Sequence, residues 1–144
     1  MIVTHDAKTT SLFTKVDSIV TTCFHGIERP PITVLEENFR TGIVFANGIL
    51  NQLRGIAILT ERGARDAFLW IMAVVPESRN MGIGSSLLKE IEEYAKGRYA
   101  RIGLTCKTDN PVQKLYFDYG YRVTKVLRDF YAPEGDGLFM GREL

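Results

Sequence analysis

Val74-Val75-Pro76-Glu77-Ser78-Arg79-Asn80-Met81-Gly82-Ile83-Gly84-Ser85-Ser86-Leu87-Leu88 is the stretch on which the reading of this chain turns. It opens at the end of an apolar run, Phe68 to Val75, of the length of a buried strand. Pro76 turns the chain and Arg79-x-x-Gly82-x-Gly84 follows. Leu87, Leu88, Ile91, Tyr94 and Ala95 then recur at the spacing of one helix face. A strand that runs through glycines into a helix N-terminus suits an anion. Glycine lets backbone N–H groups approach a phosphate, and the first helical amides carry partial positive charge. Two phosphate loops are excluded at named residues. A Walker A loop ends in Gly-Lys-Ser/Thr, where this chain has Gly84-Ser85-Ser86. A dinucleotide fingerprint places a third glycine where Leu87 stands.

The rest of the composition narrows the class. At 144 residues the chain has the length of one domain, residues 1–144, able to bury a core without staples. Lys and Arg number 18 against 17 acids, so bulk charge gives no case for nucleic acid or an anionic membrane. No apolar run approaches the roughly 20 residues of a membrane span. Met1 to Asp6 lack the regions of a signal peptide, and Cys23 and Cys106 form no metal motif. The expectation is a cytoplasmic protein with reduced thiols and no metal.

Taken in order, Ile2 to Thr4 reads as a first strand. A helix capped by Thr9, Thr10 or Ser11 runs to about His25, with Leu12, Val16, Ile19, Val20 and Phe24 inward. After Pro30-Pro31, Thr33 caps a shorter helix that Gly42 ends. Ile43 to Ala46 meets Asn47-Gly48, a strong hairpin signal. Gln52 to Thr60 is the next strand, and Glu61 to Arg65 turns into the central one, where Trp70 reads as core or as a pocket wall. Past the glycine loop, Glu92 and Lys96 form an i,i+4 pair and Gly97 closes the helix. Ala100 to Cys106 alternates as a strand. Asn110-Pro111 then starts a helix with Val112, Leu115, Tyr116 and Tyr119 inward. Tyr121 to Phe130 and Leu138 to Arg142 read as a two-stranded ribbon with its turn at Pro133 to Gly137.

The glycine stretch resembles the acetyl-CoA pyrophosphate loop, Arg/Gln-x-x-Gly-x-Gly/Ala, of the GNAT superfamily of N-acetyltransferases. A second stretch, Asn110-Pro111-Val112-Gln113-Lys114-Leu115-Tyr116-Phe117-Asp118-Tyr119-Gly120-Tyr121, resembles that superfamily's Asn-x-x-Ala-x-x-Leu-Tyr-x-x-x-Gly-Phe segment, with Gln113 at a position where a small residue is common. The resemblance implies a three-layer α/β (α+β) fold, a mixed and mostly antiparallel twisted sheet of about six to seven strands flanked by about four helices.

It also implies a chemistry. Acetyl-CoA would be held by backbone amides from Arg79 through Asn80, Met81, Gly82, Ile83 and Gly84 to Ser85, by the hydroxyls of Ser85 or Ser86, and by Arg79 itself. Val74 and Val75 lie at the cofactor end of the strand, and the backbone N–H near Val74 would polarise the thioester oxygen. Tyr116 matches the general acid that protonates the leaving thiolate; on spacing alone it is one member of an apolar helix face. Asn110 is a helix cap, alone or with a cofactor contact. Asp129-Phe130-Tyr131 resembles a stretch of the ribosomal-protein and peptide N-terminal acetyltransferases, in which the residue matching Tyr131 touches the substrate backbone. Those enzymes often show Leu-Glu-Val-Arg before the Asn110 motif, where this chain has Leu104-Thr105-Cys106-Lys107. Thr105 cannot be a base, which leaves Glu28, Asp66, Glu77 or a water chain. The segment between the first two helices, with Glu28, Arg29, Glu36 and Glu37, holds solvated charges or acceptor contacts.

The expected activity is therefore acetyl transfer from acetyl-CoA to a primary amine by direct attack in a ternary complex, on a peptide or protein α-amine. The alternatives are a small-molecule amine such as a polyamine, an aminoglycoside or an amino-acid-like acceptor, and a non-catalytic sensor that binds acyl-CoA without turnover. The protein is expected to be a monomer or a homodimer.

Overall fold

The computed structural model describes residues 1–49 and 51–144. Seven strands form one sheet: β1 (Ile2–Val3), β2 (Ile43–Ile49), β3 (Gln52–Glu61), β4 (Asp66–Val74), β5 (Arg101–Lys107), β6 (Arg122–Leu127) and β7 (Gly137–Glu143). Four α-helices accompany them: α1 (Thr10–Cys23), α2 (Ile32–Thr41), α3 (Ile83–Ala95) and α4 (Gln113–Asp118). The strand order is β1-β2-β3-β4-β5-β7-β6. Every neighbouring pair is antiparallel except β4 and β5, which α3 joins as parallel strands.

Alternation along the strands makes two cores. Phe45, Ala57, Leu59, Ile102, Leu104 and Met140 point to the face covered by α3 and α4, against Leu87, Leu88 and Ile91. Val44, Ile56, Ile58, Ile71 and Ala73 point to the other face, under Leu12, Val16 and Val20 of α1 and Leu35 and Phe39 of α2. Helices α1 and α2 cover only the β1–β4 half of that face. The register of β3 against β4 slips between Ile58↔Ile71 and Leu59↔Leu69, leaving Trp70 as an extra residue on β4. Ala67 and Leu69 belong to the α3 face, Trp70 and Ile71 to the α1 face, and Met72 and Val74 to the α3 face again. The bulge therefore reverses the parity of the strand in its last third.

Several local expectations shift. Thr9 is the α1 cap, its Oγ1 accepting from Leu12 N–H at 3.1 Å. Helix α2 starts after Pro31 with no side-chain cap, so Thr33 lies inside it. Gly42 ends α2 through space rather than through a left-handed φ: a Cβ there would meet Asn38 O at 2.7 Å and Leu59 O at 2.9 Å. Asn47-Gly48 is not the hairpin turn. It is an irregularity inside β2, whose pairing with β3 continues to Ile49↔Gln52. The C-terminal ribbon forms, β6 pairing antiparallel with β7, but β6 ends at Leu127 and β7 also pairs with β5, so it lies between the two. Phe130 and Tyr131 lie in the connection before it.

The Glu92–Lys96 pair forms at 3.1 Å, and Arg142 of β7 adds a shorter contact to the same carboxylate at 2.6 Å. That Arg142 hydrogen bond, with Lys96 in support, holds the Glu92 carboxyl below the ordinary glutamate value. A depressed folded value contributes stability at neutral pH and loses it as pH falls below about 4.3, the unfolded value. Glu92→Gln should lower the urea midpoint at pH 7 and flatten the acid limb of a midpoint-against-pH curve. An unchanged acid limb would show that the tie from α3 to β7 adds nothing.

Candidate active site

The site begins where the sheet comes apart. β4 and β5 pair only at Asp66↔Arg101, Ala67↔Ile102 and Phe68↔Gly103. Beyond Phe68 the strands separate, and a cleft of about 1190 Å³ passes between them from one face of the sheet to the other. On its β3 side β4 stays paired up to Val74. Val75 N–H donates to Arg54 O at 2.9 Å, so antiparallel alternation turns the N–H and C=O of Val74 into the gap. The Val74 carbonyl accepts from Arg79 Nε at 3.1 Å, with Cys23 Sγ at 3.4 Å.

On the α3 face the mouth of this cleft is the glycine stretch. Pro76–Ser78 makes one 3-10 turn that buries Ser78. The chain then takes left-handed backbone at Asn80, φ 63°, and Gly82, φ 79°, before α3 starts at Ile83. The first bond that ties the helix to its cap runs from Ser86 N–H to Gly82 O at 3.0 Å. The N–H groups of Asn80 to Ser85 find no backbone acceptor among the described residues, and the first turn of α3 carries no acid. Gly84 makes room as well: a Cβ would lie 3.0 Å from Leu115 Cδ2 of α4. Free donors, a positive helix end and no competing carboxylate are what a pyrophosphate needs. Arg79, Asn80, Gly82, Ile83, Gly84 and Ser85 line the cleft along with Val74. Val75, Met81 and Ser86 do not, and the amides of Val75, Arg79 and Ser86 already donate within the fold.

Helix α4 forms the opposing wall on the same face. The helix expected to start at Asn110-Pro111 starts only at Gln113, with Val112 at its cap and no side-chain cap bond. Asn110 Oδ1 instead accepts from Val112 N–H at 3.0 Å in the preceding turn, and Asn110 lines the cleft. Gln113 reaches back to donate from Nε2 to Lys107 O at 3.1 Å and Thr108 O at 2.6 Å, tying α4 to the end of β5. Tyr116 faces the cleft, 7% exposed, and packs edge-on to Tyr121 at 5.8 Å. Burial pushes its hydroxyl well above the ordinary phenol value, with Cys106, Tyr121 and Tyr131 adding to the effect. It therefore keeps its proton.

The other mouth opens on the α1 face. Tyr131 reaches in from the β6–β7 connection, its hydroxyl donating to Thr105 Oγ1 at 3.4 Å and its ring edge-on to Phe130 at 4.9 Å. Burial raises its hydroxyl pKa, against the lowering effect of the Thr105 bond. Across from it lies the segment between α1 and α2. Glu134 accepts from Ile27 N–H at 3.0 Å and stands 3.5 Å from Lys107 Nζ, while Glu28 lies 3.9 Å from the same ammonium. Of the three carboxylates open as bases, Glu28 lines the cleft. Asp66 is held by Arg101 at 2.9 Å, and Glu77 lies exposed on the 3-10 turn. Glu36 and Glu37 are exposed on α2, Glu37 paired with Arg40 at 2.7 Å. Sequence reasoning missed Glu134 and Lys107, whose encounter depends on a loop folding back across the molecule. Trp70, read as core or as an acceptor-pocket wall, does both in part: it is half-buried, packs against the α1-face core and lines the cleft.

Comparison with known proteins bears on the family and the fold. The model of a family described as the acetyltransferase (GNAT) family matches residues 13–121. Among curated proteins none matches the chain. Solved structures are similar in fold at low identity. The ribosomal-protein-S18-alanine N-acetyltransferase from Escherichia coli superposes with a TM-score of 0.82 at 18% identity, over 94% of this chain and 89% of that one. Ard1 from Thermoplasma volcanium gives 0.82 at 18%, over 94% and 93%. A GNAT family acetyltransferase from Elizabethkingia anophelis, solved with acetyl-CoA bound, gives 0.72 at 23%, over 80% and 84%. Among the described residues no helix is long and apolar enough to cross a membrane, and no group of side chains is placed to hold a metal ion.

Proposed function

Because the chain belongs to the GNAT acetyltransferase family, whose model covers residues 13–121, we propose that it carries the acetyl group of acetyl-CoA to a primary amine by direct attack, with the α-amine of a peptide or protein as acceptor. The observation that carries this reading is the parting of β4 and β5 beyond Phe68, which joins the unpaired amides of Asn80 to Ser85 to Tyr116 and Tyr131 in one cleft.

The cofactor supplies the activated acetyl thioester; the chain supplies place and protons. Amides of Asn80 to Ser85 hold the pyrophosphate, with Asn110 on the facing wall. The Val74 N–H, aimed into the gap, donates to the oxygen on which charge develops. Tyr116 gives its proton to the departing sulfur as the C–N bond forms and the C–S bond breaks, and water returns the proton lost by the amine. Tyr131 faces the acceptor backbone.

A magnitude favours the α-amine. Freeing a lysine-type amine at pH 7 costs about 1.36 kcal/mol for each of ~3.4 pKa units, roughly 4.6 kcal/mol, whereas an α-amine near ~8 costs about 1.4 kcal/mol. Glu28 is the sole carboxylate among the described residues lining the cleft, and Lys107 already faces it. A site so poor in bases suits the amine that needs one least. The test is thiol release from acetyl-CoA with α-amino peptides, N-terminally blocked lysine peptides and polyamines. The α-amino peptides should turn over at least tenfold faster at pH 7, and a preference for ε-amines would refute the assignment.

A further inference from the structure

We infer that the acceptor presents its amine on a bulky apolar body with no second positive charge, that is, an α-amine whose own side chain is aromatic or large and aliphatic. The inference rests on the transfer reaction proposed above and narrows its acceptor.

The wall of the cleft on the α1 face is aromatic. Phe24, Phe68, Trp70, Phe130, Tyr131 and Phe139 all contribute to it, with Phe68 and Phe139 stacked at 6.3 Å. Two of these positions follow from chain return. Trp70 keeps the face of Phe68 by alternation, the β6–β7 connection delivers Phe130 and Tyr131, and among the described residues no helix covers Phe139 there. The rim continues the same chemistry: Ile27 is 53% exposed, Val34 42% and Phe130 52%, and all three line the cleft. An apolar rim around an aromatic pocket is the usual form of a site that takes an apolar ligand.

Charge argues in the same direction. Among the described residues that line the cleft, the charged ones are Glu28, Arg62 and Arg79. Glu28 has Lys107 Nζ at 3.9 Å, and Arg62 lies over the Phe68 ring at 4.0 Å. A polyamine or aminoglycoside brings several ammonium groups that need carboxylates in exchange for their water. The cleft offers one carboxylate, already faced by a cation, and two guanidinium groups that repel. A single amine, neutral when it attacks, makes no such demand. An amino-acid amide and a peptide N-terminus share the required chemistry.

Trp70 is the single tryptophan of the chain and lines the cleft, so its fluorescence reads acceptor binding without turnover. The full chain, saturated with CoA, is titrated with phenylalaninamide, a tripeptide beginning with phenylalanine, glycinamide and spermidine. Burial of a phenylalanine-sized side chain predicts Kd values about tenfold to hundredfold lower for the two phenylalanine compounds than for glycinamide, with spermidine weakest. Whichever of the two binds tighter tells a free amino-acid-like acceptor from a peptide. Phe130→Ala and Val34→Ala, both at exposed positions, should narrow the phenylalanine-to-glycine ratio several-fold while leaving the melting temperature in place. Glycinamide or spermidine binding as tightly as phenylalaninamide overturns the inference, as does a ratio unmoved in both variants. Thiol release with the same four compounds separates the two layers of the argument. Selective binding of phenylalaninamide without release from acetyl-CoA leaves the apolar preference standing and defeats the transfer reaction.

Discussion

Tyr116→Phe is expected to lower kcat by about 10²–10⁴-fold while leaving the KM for acetyl-CoA close to its original value, the range for loss of a positioned general acid. The substitution removes one oxygen and keeps the ring. The edge-on contact with Tyr121 and the buried position in the core beneath α4 stay filled, so the protein should melt at nearly the same temperature. Burial drives the hydroxyl pKa upward, and this cuts both ways. It makes the group a weaker donor towards a thiolate whose conjugate acid lies near ~8.5, but it keeps the donor fully protonated throughout the range in which an α-amine near ~8 becomes free. The rate should accordingly rise through pH 8 as the amine deprotonates and show no descending limb from Tyr116 below about pH 10, the ordinary phenol value. A kcat within threefold of the original would remove Tyr116 from the chemistry and reduce it to packing.

Leu87→Ala should cost about 2–5 kcal/mol, on the order of 10 °C in Tm for a chain of this size. Leu87 is fully buried in the core that α3 shares with Phe45, Ala57 and Leu59. Leu87 lies about one turn after Ile83, where α3 begins, close to the amides proposed to hold the anion, which makes the variant informative beyond stability. Acetyl-CoA at about a hundred times its Kd should return about 2.7 kcal/mol to both original and variant, because the amides of Asn80 to Ser85 are placed by backbone geometry and not by the volume of Leu87. Thermal melts with and without acetyl-CoA measure both quantities. Stabilisation of neither protein would mean that the glycine stretch does not hold the cofactor. Stabilisation of the original alone would mean that the helix moves when its core contact is cut.

What the sequence made legible was local and periodic. The apolar face of α3 and the alternation of β5 needed nothing from outside their own segments, and both are found. The turn of the β2–β3 hairpin was displaced because the Asn47-Gly48 signal was spent on an irregularity within β2. The place of β7 between β5 and β6 was illegible because a ribbon and an insertion have the same alternation; only the partner across the sheet differs. The face taken by Ile71 was illegible for a related reason. A bulge leaves no mark in hydropathy, since Trp70 and Ile71 look like successive positions of any buried strand and only the register against β3 reveals that they share a face. The mouth of the cleft on the α1 face suffered most. Its Glu134–Ile27 and Lys107–Glu28 contacts join residues from three separate connections, and no spacing rule brings them together.

Three residue pairs are all that stitch β4 to β5. Mechanically the sheet is two panels, one of β1 to β4 and one of β5, β7 and β6, sharing a short seam at one end and standing ajar at the other. A molecule lodged in the opening works as a temporary strand between them. Occupancy should then travel along the panels as slower amide exchange at both facing edges, Leu69 to Val74 and Leu104 to Lys107, well beyond the few groups that any ligand touches.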